Sequence, residues 1–229
     1  MSDAPSAPFH VGLTRKRIVD VALELTHGSH LAGWSIRDLA RRLDVAPSVI
    51  YHHVGGKDLI ARHVAERVLD GLAAPPADLD WQDWFRALLD DCYQPVSAHP
   101  GVAKWVLMHG PTFPSVLPIV DTGVQVLLRA GFGDQAGFAY AALLNNAMLT
   151  ISIGDDRLLH EDDGPRDHAT MMDDFRRATD GSPGVSALAE AFITPFAQGG
   201  QTAARQRRTY YTFVVQTTIA GLATLLGEP

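Results

Sequence analysis

A chain of 229 residues that is 46% hydrophobic holds enough apolar material for one or two packed domains. Its one cysteine excludes an internal disulfide framework, and its first twelve residues lack the charged start and apolar run of a secretory signal, so a cytoplasmic protein is expected. The formal net charge of −7 is segregated: residues 1 to 57 carry seven Lys or Arg against five Asp or Glu, a local balance of +2 that leaves −9 in the remainder. The acidic remainder discourages non-specific sticking to a polyanion, while the N-terminal part can still bind one, because affinity for phosphate depends on local neutralisation.

In chain order, residues 1 to 12, with Pro5, Pro8 and Gly12, read as a flexible tail. Thr14 caps a first helix over Arg15 to Leu25, with Ile18, Val21, Ala22 and Leu25 on one face. Its basic start, Arg15, Lys16 and Arg17, suits either a DNA strand or a solvated helix end. Gly28 and Gly33 punctuate the next loop, where Leu31 and Trp34 cover a small core.

Ser35 then caps a second helix, and Asp38, three residues on, completes a variant of the capping box. Ile36, Leu39, Ala40 and Leu43 form its apolar stripe, while Arg37, Arg41 and Arg42 face water or phosphate. Ala40 is small enough to let another helix cross closely. Asp44 to Ser48 make the turn, Pro47 suits a first helical turn, and a third helix runs to His53 with Val49, Ile50 and Val54 inward. Two short helices joined in this way form a helix-turn-helix, a shape that places side chains in the major groove of DNA. The third helix ends in Tyr51-His52-His53-Val54, followed by Gly55-Gly56 and a lysine, Lys57, that opens a long helix.

Over Leu13 to about Leu72 this pattern resembles the TetR family of dimeric transcription regulators. The resemblance implies phosphate contacts from Tyr51 and Lys57, which stand where the family has a tyrosine near the end of the recognition helix and a lysine at the start of the following one. Ser48, Val49, His52 and His53 are expected near base edges and Arg37 at phosphate, with Val49 alternatively in the core.

The rest of the chain reads as helices: Lys57 to Leu72, Trp81 to His99, Val102 to His109, Pro114 to Ala130, Gln135 to Leu159, Val185 to Ala197 and Thr202 to Leu226. Glu161 to Gly184 is expected as a loop, with Met171 to Ala178 a short helix within it. Cys92 reads as a small core residue, with a redox sensor as the alternative. Two segments carry no charge, Gln135 to Gly154 and Thr209 to Gly227, and their length invites a membrane-spanning reading. Asn145, Asn146 and five threonines argue instead for burial within protein, so no membrane partner is expected. In the TetR resemblance two late helices from each subunit form a four-helix dimer interface, and Gln135–Gly154 with Thr202–Leu226 are the candidates. A homodimer also suits a palindromic double-stranded operator, since one reader spans only a few base pairs.

Large side chains gather in the middle of the chain. Each suits a core, yet together Trp84, Leu88, Trp105, Met108, Phe113 and Met148, with His109 and Asn145, suit an apolar cavity for a small-molecule effector. Trp81-Gln82-Asp83 and His99 to Pro111 resemble the ligand domain of the tetracycline-responsive branch. There a histidine before a Gly-Thr-Arg-Pro turn binds the drug's magnesium; Val106 occupies that place here, so an apolar or aromatic effector without a metal is expected. His160-Glu161-Asp162-Asp163 reads as a solvated loop rather than a metal site, and no cofactor is expected. Gly131 to Ala136 fits a nucleotide fingerprint in letters, but a helix precedes it where a strand is required. No nucleophile elbow or phosphate loop is visible.

The sequence therefore predicts an all-α, non-enzymatic, ligand-responsive regulator, most simply a repressor, with a helix-turn-helix domain at 13–57 and an effector-binding and dimerisation domain at 58–229. The alternatives are a helical small-molecule carrier or enzyme whose helix-turn-helix is only structural, and a protein-interaction adaptor.

Overall fold

A computed structural model of the chain describes residues 12–158, 168–178 and 182–227. The regular structure of these residues is entirely helical. Three short helices come first: α1 (Arg15–Gly28), α2 (Ile36–Leu43) and α3 (Pro47–Val54). Each begins as the sequence dictates. The Thr14 hydroxyl accepts the Arg17 N–H, the Ser35–Asp38 capping box is complete in both directions, and Pro47 occupies the first turn of α3. α1 continues three residues past the expected Leu25, and Ser29 closes it by donating its hydroxyl to the Leu25 carbonyl.

Ile18, Val21, Ala22, Leu39, Ala40 and Ile50 share one fully buried core. Trp34 roofs it: its indole N–H donates to the Thr26 hydroxyl at 3.0 Å, which in turn donates to the Ala22 carbonyl. A buried polar pair is tolerated here because every donor has an acceptor.

α4 (Lys57–Leu69) leads from this unit into the body and ends three residues before the expected Leu72. α5 (Trp81–Ser97), α6 (Val102–His109), α7 (Leu117–Ala130), α8 (Ala136–Leu158) and α12 (Gly200–Leu225) build the body, and α8 packs against α5, α6, α7 and α12. α7 starts at Leu117 rather than at Pro114, with Pro118 in its first turn. Gly131 takes a left-handed conformation that closes α7, and Gly133–Gln135 form a single 3₁₀ turn before α8, so the glycine-rich stretch is a helix-to-helix turn. α9 (His168–Ala178) is longer than expected. The expected Val185–Ala197 helix is instead α10 (Pro183–Leu188), a π turn at Ala189–Ile193 and α11 (Thr194–Ala197). The His160-Glu161-Asp162-Asp163 stretch and residues 1–11 of the tail lie outside the described residues.

Asn146 and four threonines of the uncharged segments, Thr150, Thr217, Thr218 and Thr224, are hydrogen-bonded locally, whereas Asn145 is exposed. Asn146 donates from α8 to the Thr218 hydroxyl of α12 at 3.1 Å, and Thr150, Thr217 and Thr218 donate to carbonyls one turn back. By length and hydropathy Gly133–Arg157 could cross a membrane; its place among four other helices accounts for the same composition. Cys92 is buried, and burial pushes its thiol up to about 12, which suppresses the reactive thiolate and leaves the core reading.

Candidate nucleic-acid interface and the junction behind it

The two helices of the reader are locked by a tight turn. Asp44 adopts a left-handed conformation at φ 54°, and the Val45 N–H reaches the Ala40 carbonyl at 3.1 Å. Ile50 and Val54 bury the inner side of α3. Ser48, Tyr51 and His52 are exposed, Tyr51 by 55%, while Val49 and His53 are half-buried at the edges of that surface. The imidazoles of His52 and His53 meet edge to face at 5.8 Å. Arg37 is exposed on α2. α3 thus presents hydroxyl, phenol and imidazole groups outward and α2 adds an exposed guanidinium, a set able to contact phosphate oxygens and base edges.

Lys57, expected at phosphate, is also tied into the protein. It is half-buried, with its ammonium 4.8 Å above the Trp34 ring, and it donates to the carbonyls of Ala32 (3.1 Å) and Trp34. Burial holds its pKa below the usual lysine range against the opposing pull of Asp38 and Asp58. The sequence shows a lysine at a helix start; it does not show that the α1–α2 loop turns two carbonyls toward it.

The eight expected effector residues divide between interior and surface. Trp84, Leu88, Phe113 and Met148 are core. Trp84 also donates its indole N–H to the Pro75 carbonyl and packs on Phe85 at 4.9 Å. Trp105 is half-buried and stacks on His109 at 4.4 Å and Phe113 at 5.3 Å. Met108, 74% exposed, and Asn145 and His109 point outward. The physical reason is that the aromatic residues of α5 satisfy one another and α7, where a Cβ on Gly123 would lie 2.9 to 3.1 Å from the rings of Tyr140 and Trp84.

Behind the reader lies a junction that sequence reasoning did not find. The Leu31 N–H, from the α1–α2 loop, donates to the Pro100 carbonyl at 2.8 Å, and the Gly101 N–H donates to Asp155 Oδ2, near the end of α8, at 2.9 Å. His30 Nδ1 accepts the Ala32 N–H, so the proton of the neutral ring sits on Nε2. That Nε2 is 3.9 Å from Asp156 Oδ1, and neither buried atom has a hydrogen-bond partner among the described residues. The other Asp156 oxygen takes Lys104 Nζ at 2.8 Å. Gly101 sits at φ +91°, where a Cβ would come 2.5 Å from His30 Cε1, so glycine lets the loop approach. Burial, reinforced by neighbouring Asp156, raises the Asp155 carboxyl to about 7; burial lowers His30, opposed by Asp156. The faint signals were the Pro100-Gly101 turn and the Asp155-Asp156 pair, neither of which reveals its partner.

No family model matches the chain. It is 35% identical over 68 residues, 30% of its length, to an uncharacterized helix-turn-helix transcriptional regulator, YobS, of Bacillus subtilis strain 168. It is 25% identical over 152 residues, 66% of its length, to a helix-turn-helix transcriptional regulator of Saccharopolyspora erythraea. These matches span 36% and 64% of the relatives' own lengths. Among solved structures, a possible TetR family transcriptional regulator from Streptomyces coelicolor A3(2) superposes with a TM-score of 0.71 at 26% identity, covering 92% of this chain and 99% of that one. ActR of Streptomyces coelicolor, a TetR family protein solved with actinorhodin, has the same fold at a TM-score of 0.65 and 21% identity, covering 97% and 100%. With this reader and this all-helical body, the chain has the fold of TetR family transcriptional regulators, and part of it is similar in sequence to helix-turn-helix regulators.

Proposed function

We propose that the chain is a cytoplasmic, ligand-responsive transcriptional repressor that binds a palindromic operator as a homodimer and is released by a small molecule. The carrying observation is the outward face of α3, where Ser48, Tyr51 and His52 stand exposed while Ile50 and Val54 are packed inward behind the capped α2. Ser48, His52, His53 and the edge of Val49 contact bases; Arg37 and Tyr51 contact phosphate, and Lys57 has a third N–H left for the same role after its two carbonyl bonds. The activity is binding rather than catalysis, with no membrane partner.

Dimerisation through α8 and α12 is supported by Phe138, Leu149 and Ile153 on the first and Phe213 on the second, all exposed and apolar on helices with long uncharged stretches. A two-fold pair would set its recognition helices about 34 to 36 Å apart, or a multiple of that. ActR with actinorhodin supports a small-molecule effector, and the stacked Trp105, His109 and Phe113 favour an apolar or aromatic one. Effector and operator must prefer different conformations, and a coupling of about 1 to 3 kcal/mol changes operator affinity roughly 5- to 150-fold.

Selection of the purified chain on randomised duplex DNA, followed by titration of the enriched sequence at several salt concentrations, tests this reading. An enriched palindrome bound by a dimer is the expected result. Salt-sensitive binding without an enriched sequence would overturn it and favour a carrier or adaptor.

A further inference from the structure

Between α5 and α12 lies a groove of about 780 Å³, within the size range of small-molecule sites, to which the reading above gives no role. Its α12 wall carries Arg205, Arg207 and Arg208; its α5 wall carries Asp90, Asp91 and Tyr93. Arg208 is committed: it pairs with Asp90 and lies 4.4 Å over the Tyr93 ring. Arg205 and Arg207 make no hydrogen bond or ion pair among the described residues. With Asp90 offset by Arg208, two guanidinium groups face the single remaining carboxylate, Asp91. The groove is therefore one negative charge short of neutrality, which suits a monoanion and disfavours a dianion.

We propose that this groove binds a small organic monocarboxylate, held by the guanidinium groups of Arg205 and Arg207. Their forked N–H donors match the two oxygens of a carboxylate, and the Tyr93 phenol and Gln94 amide supply neutral polar contacts beside them. Arg207 also gives the site a route to the reader. Its stem lies against Gly154, where a Cβ would be 3.0 Å from Arg207 Cδ, and its charge acts on the next residue, Asp155, which grips the Gly101 N–H at the junction. A carboxylate that draws Arg207 into the groove removes a cation from beside Asp155 and loosens the α6 start on which the α1–α2 loop rests. This route rests on the proposed function; the binding site does not.

The test uses the full chain with benzoate, its neutral isostere benzamide and the dianion phenyl phosphate, at constant ionic strength, followed by calorimetry. Benzoate should saturate the chain and bind about tenfold or more tightly than benzamide, and Arg205→Gln, on an exposed side chain, should remove about tenfold of that affinity. Asp91→Asn should raise affinity for phenyl phosphate more than for benzoate. Equal binding of benzoate and benzamide, benzoate binding unchanged in Arg205→Gln and in Arg207→Gln, or no saturation up to about 10 mM would overturn the site. A second arm measures affinity for the selected operator with and without saturating benzoate. Weakening in the native chain that disappears in Arg207→Gln supports the route, whereas benzoate binding with operator affinity unchanged overturns the route and leaves the site standing. Because the first arm contains no DNA, failure of the regulator reading cannot be mistaken for failure of the site.

Discussion

Lys57 illustrates how one side chain can hold the reader from within the protein. Its ammonium stitches the start of α4 to the Ala32 and Trp34 carbonyls, so its removal acts first on the angle between the reader and α4. Lys57→Met keeps the stem and deletes the charge; hydrogen bonds from a half-exposed cation put the cost at about 1 to 2 kcal/mol. Operator affinity should fall for all sequences together with thermal stability. A loss of affinity at unchanged stability, with a salt slope lower by about one, would show instead that phosphate contact dominates. Gly101 is the second informative position. Gly101→Ala places a methyl group against the His30 ring and forces a side chain into positive φ, for an expected loss of about 2 to 4 kcal/mol. His30→Ala should restore only the part due to the clash, so a double-mutant cycle separates steric from backbone cost.

Among the elements, those whose causes lie within a few residues were the most legible in the sequence. The Ser35–Asp38 box, Pro47 at the head of α3 and Gly131 after α7 each act over a single turn, and each appears where the letters put it. Ser35→Ala tests the strongest of these: loss of the hydroxyl that accepts the Asp38 N–H should destabilise the chain by about 1 kcal/mol, and Ser35→Gly by less. Equal stability of Ser35→Ala and the native chain in urea would show that α2 is held by packing alone. The elements read less well were those shaped by distant partners. The π turn at Ala189–Ile193 interrupts what periodicity alone reads as one helix. The candidate site divides the same way. The exposed face of α3 follows from the pattern that buries Ile50 and Val54, whereas the inward turn of Lys57, the burial of Trp84 and Met148, and the meeting of His30 with Asp156 depend on contacts across 20 to more than 100 residues of chain.

At the scale of the whole molecule, two features bear on the proposed function: exposed apolar area on α8 and α12, and charge at the junction. Phe213→Glu puts a carboxylate on a side chain that is 59% exposed in the isolated chain, so folding should be little affected while a dimer built on that face dissociates; sedimentation would show a monomer, and affinity for a palindrome would fall toward that for a half-site. A dimer that survives places the interface elsewhere. The charge at the junction predicts a pH dependence with a definite sign. Asp155 is raised to about 7 when folded, against about 3.9 in an unfolded chain. Between these values the folded state keeps a proton that the unfolded chain has released, so the stability contributed by this group is full below about pH 4 and is lost as pH rises toward 7. His30 works in the opposite direction: its pKa is lowered by burial, so its contribution is present above about pH 6.5 and is lost as pH falls through its folded value. Asp155→Asn retains an oxygen for the Gly101 N–H and removes the titration. At fixed protein concentration, denaturant melts should show the variant more stable by up to about 4 kcal/mol at pH 8 and no more stable than the native chain near pH 4. An equal gain at both pH values would mean that the cost at this junction is one of packing, and that the buried carboxylate does not set the strength with which the body holds its reader.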